Sequence, residues 1–297
     1  NNEIHITLLE TGADVSFANC GLPYYIGRDI EHRSSLILAS EETFNDQYRV
    51  KVHTHTEAIE IDRLHKRVKA RNTQTGEEKL FSYDALILAQ GGKPVVPAFP
   101  GVDKDHVFQL WTLADMDRIE SFITEKMPGK GVVVGGGFIG LEMVEALSKR
   151  GIEVTLVEMA KHVMPNLEGE FAGFITKELQ DFGVRLELGK SVQAIEDNRV
   201  LLSDGSAVET DFVLLSIGVR PTLQLAKDAG LELGESGGLQ VDSSLRTSDP
   251  SIFAAGDMVE ILHTVHGKQV RMPLAGPANR QGRLVAENAL GGSRTYK

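Results

Sequence analysis

Apolar, β-branched runs alternate along this chain with stretches of helical period, the pattern of an α/β protein built on parallel sheets. The clearest unit starts at Gly131. Val132–Val134 reads as a buried strand, Gly135–Gly140 as a glycine-rich loop, and Leu141–Arg150 as a helix with apolar residues at Leu141, Met143, Val144 and Leu147. Gly151 supplies a left-handed helix stop, and a second strand, Ile152–Val157, runs out at Glu158. Glu168–Asp181 predicts an amphipathic helix closed by Gly183, followed by strands at Val184–Leu188 and Val213–Ile217, the latter running into Gly218. Asp204-Gly205 between apolar runs predicts a short hairpin.

The flanks share this alternation. Strands are expected at Ile4–Leu9 and Ala85–Ala89, with antiparallel ones near Val50–Ile61 and Arg67–Arg71. Beyond residue 238 come the run Ile252–Asp257 and a helix opened by Pro277. The expected organisation is a nucleotide-binding domain over residues 113–237, inserted into a domain made of residues 1–112 and 238–297.

Composition narrows the function. No apolar run approaches the roughly 18 residues of a membrane-spanning helix, which excludes that class. A net charge of −11, a pI near 5.3 and the lack of a Lys/Arg tract argue against a nucleic-acid partner. Cys20 is the single cysteine, so no internal disulfide or thiolate zinc cluster can form, which fits a reducing cytoplasm. With no charged-then-apolar stretch after Asn1-Asn2, export is not expected, and the lack of an initial Met leads us to expect a longer parent chain.

Gly135, Gly137 and Gly140 form G-x-G-x-x-G between a strand and a helix, the context that gives the motif its meaning. The first glycine makes the tight turn, the second admits a pyrophosphate, and the third allows close packing of the helix. Glu158 ends the next strand, where an acid accepts from a ribose 2′-hydroxyl and repels a 2′-phosphate, so NADH is expected over NADPH. Glu10 also ends a strand, without a glycine loop before it. Cys20 lies in Ser16-Phe17-Ala18-Asn19-Cys20-Gly21-Leu22-Pro23-Tyr24-Tyr25, with Pro23 suited to the first turn of a short helix. Its sulfur is then either a reactive thiolate near a positive helix end or an apolar filler. Asp257 could bind a sugar-like hydroxyl or simply form a turn. The stretch Met272–Gln281, with Ala275 and Asn279, either offers helix-start amides to an electron-rich ligand or is only a well-started helix. His53 and His55 fall on one strand face without a third ligand, and His263 and His266 fall in a surface loop, so no metal site is expected.

Taken together, these motifs resemble the flavin-dependent pyridine nucleotide-disulfide oxidoreductases over essentially the whole chain. Within them the chain is similar to the single-cysteine branch of coenzyme A-disulfide reductases, NADH-dependent persulfide reductases and NADH oxidases. Asn19 and Leu22-Pro23 beside Cys20 favour the coenzyme A-linked disulfide or persulfide reductases. The resemblance implies two Rossmann-like three-layer domains, the NAD domain inserted into a discontinuous FAD domain. It implies FAD and NADH as cofactors and Cys20 as the catalytic sulfur. Glu10 would hold the adenosine ribose of FAD and Asp257 its ribityl chain, with Ala275 and Gly218 as further cofactor contacts. Phe138 would gate the nicotinamide pocket and Glu142 face its carboxamide. Ser16, Asn19 and Asn279 match substrate positions, and Arg28, Arg33 and Arg49 would supply positive charge for an anionic coenzyme A. The implied reaction carries a hydride from NADH to flavin, then electrons to a mixed disulfide on Cys20, releasing a small thiol.

The chain departs from the family at Ala89-Gln90-Gly91-Gly92 and at Trp111, and it lacks the first flavin glycine loop and a C-terminal dimerisation domain. The parent is therefore expected to be a homodimer, and these 297 residues alone to bind FAD poorly. Two rival functions follow from the same residues: an oxidase or peroxidase working through a Cys20 sulfenate, and a non-catalytic nucleotide-binding redox module.

Overall fold

The computed structural model describes residues 4–296; Asn1 and Asn2, at the start of the chain, lie outside them. The helices among the described residues are α1 (Leu22–Ile26), α2 (Glu41–Asp46), α3 (Leu113–Lys126), α4 (Phe138–Lys149), α5 (Gly169–Asp181), α6 (Gln224–Asp228) and α7 (Ala275–Ala289). The chain divides into two compact units. One gathers Asn1–Val15, Glu41–Lys93 and Arg220–Lys297; the other gathers Ser16–Ser40 and Pro94–Val219.

The second unit is built on a five-stranded, all-parallel sheet in the order Val107–Phe108, Phe212–Leu215, Lys130–Val134, Glu153–Glu158, Arg185–Leu188. Lys130–Val134 is central because its valines are buried on both faces, the mark of a parallel strand covered by helices on each side. Val133 pairs with Leu156 on one side and Leu214 on the other. The strand order reverses around this central strand, and in such sheets ligands bind beyond the carboxyl ends at that reversal. A capping box closes the start of α3: Thr112 accepts from the Asp115 amide while Asp115 accepts from that of Thr112. The predicted hairpin forms between Arg199–Leu202 and Ala207–Glu209, with Gly205 at φ +83°.

In the first unit, Ile6–Leu9 runs parallel to Val50–His53, and Leu86–Leu88 parallel to Ile252–Ala254. The expectation of antiparallel strands over Val50–Ile61 is half corrected. Its first part pairs in parallel, the chain turns at Thr54-His55 with His55 at φ +49°, and only Thr56–Asp62 enters an antiparallel sheet with Arg67–Asn72. The turn also removes His55 from the strand face assigned to it. His53 stays in its strand, its ring edge-on to Phe81.

The cysteine-bearing stretch clusters with the central sheet rather than with the N-terminal residues that precede it. Leu22, Ile26 and Leu36 are each at most 1% exposed and share one core with Met143, Val144 and Leu147 of α4. Sequence periodicity does not reveal this seat, because a five-residue helix is too short to carry a readable pattern.

Candidate functional site

The fingerprint loop turns sharply. Gly135 has φ +107°, and a Cβ there would lie 2.5 Å from the Ser216 carbonyl oxygen, so both conformation and space demand glycine. At Gly140 a Cβ would fall 2.0 Å from the Gly135 carbonyl oxygen; the third glycine lets the helix approach the turn itself. Gly137 differs, with nothing within 4 Å of its would-be Cβ. This open position is a cradle at the mouth of the helix. Helix α4 begins at Phe138, directly after Gly137, a turn earlier than the apolar pattern predicts, and no side chain caps it. Its first-turn amides are therefore left for a ligand, and anions are favoured there.

Glu158 is drawn into the same loop. Its Oε2 accepts from the Gly136 amide at 2.6 Å and its Oε1 from the Ala160 amide at 2.7 Å. Each oxygen retains a second acceptor position for a hydroxyl. Ser216, which sequence reading does not single out, donates from Oγ to the carbonyls of Val134 and Gly135 at 3.0 Å and fixes the strand-to-loop corner. Phe138 stands 66% exposed beside the cradle. Glu142, one turn along α4, is partly buried, and burial followed by the nearby Glu145 charge raises its pKa. Gly218, at φ +107°, is exposed a few residues past the strand Phe212–Leu215.

Cys20 is exposed, in a 3-10 turn over Asn19–Gly21 that leads straight into α1, with Pro23 in the first turn. Asn19 is exposed beside it; Ser16 is half-buried in a two-residue strand paired antiparallel to Ile37–Ala39. A Cβ at Gly21 would meet Leu36 Cδ2 at 2.5 Å, so any larger residue there would have to displace that buried side chain. Two of the arginines expected to offer positive charge are already engaged: Arg28 with Glu120, and Arg33 with Asp117 at 2.9 Å.

In the other unit, Glu10 follows Ile6–Leu9 and accepts from the Gly12 amide at 2.7 Å. Asp257 follows Ile252–Ala254, and burial raises its pKa. The buried Gln281 of α7, also missed from sequence, accepts from the Gly256 amide at 2.7 Å and holds the turn that carries Asp257. Ala275 opens α7 and Asn279 lies in its first turns, both exposed; the helix has neither a side-chain cap nor an acid in its first turn. A Cβ at Gly276 would meet nothing within 4 Å, a second open helix mouth. His263 ends the strand Val259–His263 rather than lying in the expected loop; its ring is tilted 36° to that of His266, centroids 4.5 Å apart, and the His266 amide donates to His263 Nδ1.

A parallel-sheet domain with a glycine loop, a strand-end acid and an exposed cysteine defines a nucleotide-dependent redox class. The chain belongs to the pyridine nucleotide-disulphide oxidoreductase family, whose pattern it matches over residues 1–282. Among curated relatives, the coenzyme A disulfide reductase of Staphylococcus haemolyticus is 30% identical over 98% of this chain and 66% of its own. Reduced Bacillus anthracis CoADR-RHD superposes with a TM-score of 0.97 at 42% identity, covering all of this chain and 54% of that one. An engineered water-forming NADPH oxidase derived from the Lactobacillus brevis NADH oxidase superposes at 0.92 with 29% identity, covering 98% of this chain and 65% of that one. The chain spans 64–66% of the length of the curated relatives it matches. No described helix is long and apolar enough to cross a membrane.

Proposed function

We propose that the parent of this chain is an FAD-dependent oxidoreductase that uses NADH to reduce a disulfide or persulfide of the coenzyme A type through Cys20. The observation that carries the reading is an exposed, unpaired Cys20 at the head of a helix, in the same compact unit as a nucleotide-binding fingerprint. The residues present fit NADH throughout and FAD in part, its first glycine loop falling outside these 297 residues. Gly135, Gly137, Gly140 and the first turn of α4 would hold the NADH pyrophosphate, Glu158 its adenosine ribose, and Phe138, Glu142 and Gly218 its nicotinamide end. Glu10, Asp257 and Ala275 would hold FAD, the open helix mouth at Gly276 leaving room for its polar edge. Bound FAD supplies a relay for the two electrons of the NADH hydride.

Cys20 does the sulfur chemistry. Its thiolate attacks one sulfur of the substrate, the S–S bond breaks, and the leaving thiolate takes a proton to depart as a thiol. A disulfide between Cys20 and the other half remains. Two electrons and one proton from solvent cleave it, returning the Cys20 thiolate and releasing the second half as a thiol. Ser16 and Asn19, on the segment that carries Cys20, would orient the substrate. In the parent, residues 113–237 would serve NAD and the flanks FAD, two copies would form a homodimer, and the protein would work in the cytoplasm. Steady-state NADH oxidation tests the reaction. Coenzyme A disulfide or a persulfide is expected to be turned over at least tenfold faster than oxygen; faster oxygen consumption would assign the oxidase reaction instead.

Preference for NADH rests on Glu158. The engineered NADPH oxidase replaces a glycine, an aspartate 18 positions on, the next two residues, and a proline five further. The same spacing in this chain runs through Gly140, Glu158, Met159, Ala160 and Pro165.

Asp257 gives a pH-dependent expectation. Its carboxyl is held above the ordinary value of 3.8 by burial, so it binds its proton more tightly folded than unfolded. Below 3.8 it costs nothing, and it withdraws stability as pH rises through the folded value. Asp257→Asn should therefore stabilise the flavin-free protein at pH 7 and leave it unchanged at pH 3. FAD affinity should fall about tenfold through loss of one charge-assisted hydrogen bond. Thermal melts at the two pH values and a flavin titration check both halves.

A further inference from the structure

The cysteine-bearing segment is anchored at its far end. Helix α1 places Cys20 just before its start and Ile26 at its end, and Leu22 and Ile26 press into the core of the central unit. Around that apolar seat lies a ring of ion pairs. Glu120 of α3 receives Arg150 Nη1 at 2.7 Å and also Arg28. Arg150 Nη1 donates in turn to the Ile26 carbonyl at 2.9 Å, satisfying an acceptor in the last turn of α1. Lys149 pairs with Asp29 at 2.8 Å, and Arg33 grips both oxygens of Asp117.

These pairs are not equal. Lys149–Asp29 and Arg33–Asp117 are around 40% exposed, where an ion pair contributes little. Glu120 and Arg150 are 15% and 14% exposed, and removing one partner leaves the other charge poorly solvated. Arg28 adds a second constraint, because it sits at φ +68°, a left-handed conformation that a bulky side chain seldom adopts. Its side chain is 51% exposed, so its bond to Glu120 adds only a weak tie to that turn directly after α1. One carboxylate thus ties both the end of α1 and the turn beyond it to α3. At ~1.5 Å per residue a five-residue helix spans only about 7.5 Å, so movement at Ile26 is carried to Cys20.

We propose that Glu120 is a positioning residue for Cys20: through Arg150 and Arg28 it fixes the end of α1 and thereby where the sulfur is presented. The role in turnover rests on the reading of Cys20 as the redox sulfur; the anchoring itself does not. The test uses the full-length protein with Glu120→Gln, which removes the charge yet keeps an acceptor, and Arg28→Ala as a milder second variant. Amide exchange in peptides covering residues 16–40 is expected to rise at least tenfold in Glu120→Gln, with the peptide covering Val132–Leu147 unchanged. The rate of Cys20 alkylation by iodoacetamide at fixed pH should rise at least about threefold as the segment loosens, and kcat should fall several-fold with KM for NADH constant. Arg28→Ala should move each readout the same way by less, and it decides the matter alone if Glu120→Gln does not fold. Wild-type exchange and alkylation rates would overturn the proposal, as would a uniform rise in exchange across both segments, which marks a purely structural role. Failure of the redox reading registers separately, as retained turnover in Cys20→Ser.

Discussion

Cys20→Ser is expected to lower NADH-dependent disulfide reduction by at least about 10³-fold, since a serine hydroxyl cannot form the covalent sulfur–sulfur link that the reaction needs. The substitution is nearly isosteric at an exposed position, and the segment is held by Leu22, Ile26 and Leu36 rather than by the sulfur. Stability should therefore change by no more than ~0.5 kcal/mol, and the NADH Kd should stay within twofold. Single-turnover mixing of the NADH-reduced protein with coenzyme A disulfide checks the first point, and a thermal melt with an NADH titration checks the others. A variant that kept a tenth of wild-type disulfide reduction would make Cys20 a packing residue and return the non-catalytic redox module as the better reading. Loss of disulfide reduction together with loss of NADH binding would trace the effect to misfolding.

How far the site could be read in advance depends on how local its causes are. The fingerprint is legible because much of what it needs is local: Gly135 has the positive φ of a tight turn, Gly140 answers to the Gly135 carbonyl and Glu158 to the loop it closes, whereas the approach of Ser216 to Gly135 comes from a distant strand and is not legible. The parallel sheet was legible because its strands are apolar on both faces. The apolar period places the start of α4 too late, because Phe138 and Ile139 fall outside it while the glycine-rich turn lets the helix begin at once. The seat of Cys20 was not legible at all. It depends on Glu120 and Arg150, about 100 to 130 residues away along the chain, and charged residues on a helix surface carry no pattern that names their partners. For the same reason Arg28 and Arg33 read as free positive charge until Glu120 and Asp117 are seen beside them. Gln281 escaped because nothing in a helix sequence shows that one amide points inward to a turn 25 residues earlier.

Glu158→Ala carries the second large expectation, because the side chain serves two purposes. Inside the protein it accepts from the Gly136 and Ala160 amides, holding the glycine loop against the residues that follow the strand Glu153–Glu158. In the proposed complex its two remaining acceptor positions would face the ribose hydroxyls of NADH. Losing two hydrogen bonds to a charged acceptor costs about 3 kcal/mol or more, so the NADH Kd should rise at least 10²-fold. The same change removes the negative charge that repels a 2′-phosphate, so NADPH should lose far less and the NADH to NADPH preference should collapse. Glu158→Gln separates the two effects: it keeps an acceptor for one loop amide without the charge, and it should lose about tenfold in NADH affinity while repelling NADPH less. Adding Met159→Arg to Glu158→Ala places a cation beside the 2′ position and should turn the preference toward NADPH. Fluorescence titrations of both nucleotides on each variant measure this directly. A preference in Glu158→Ala within twofold of the wild-type value would mean that discrimination lies elsewhere in the loop and that Glu158 only braces it.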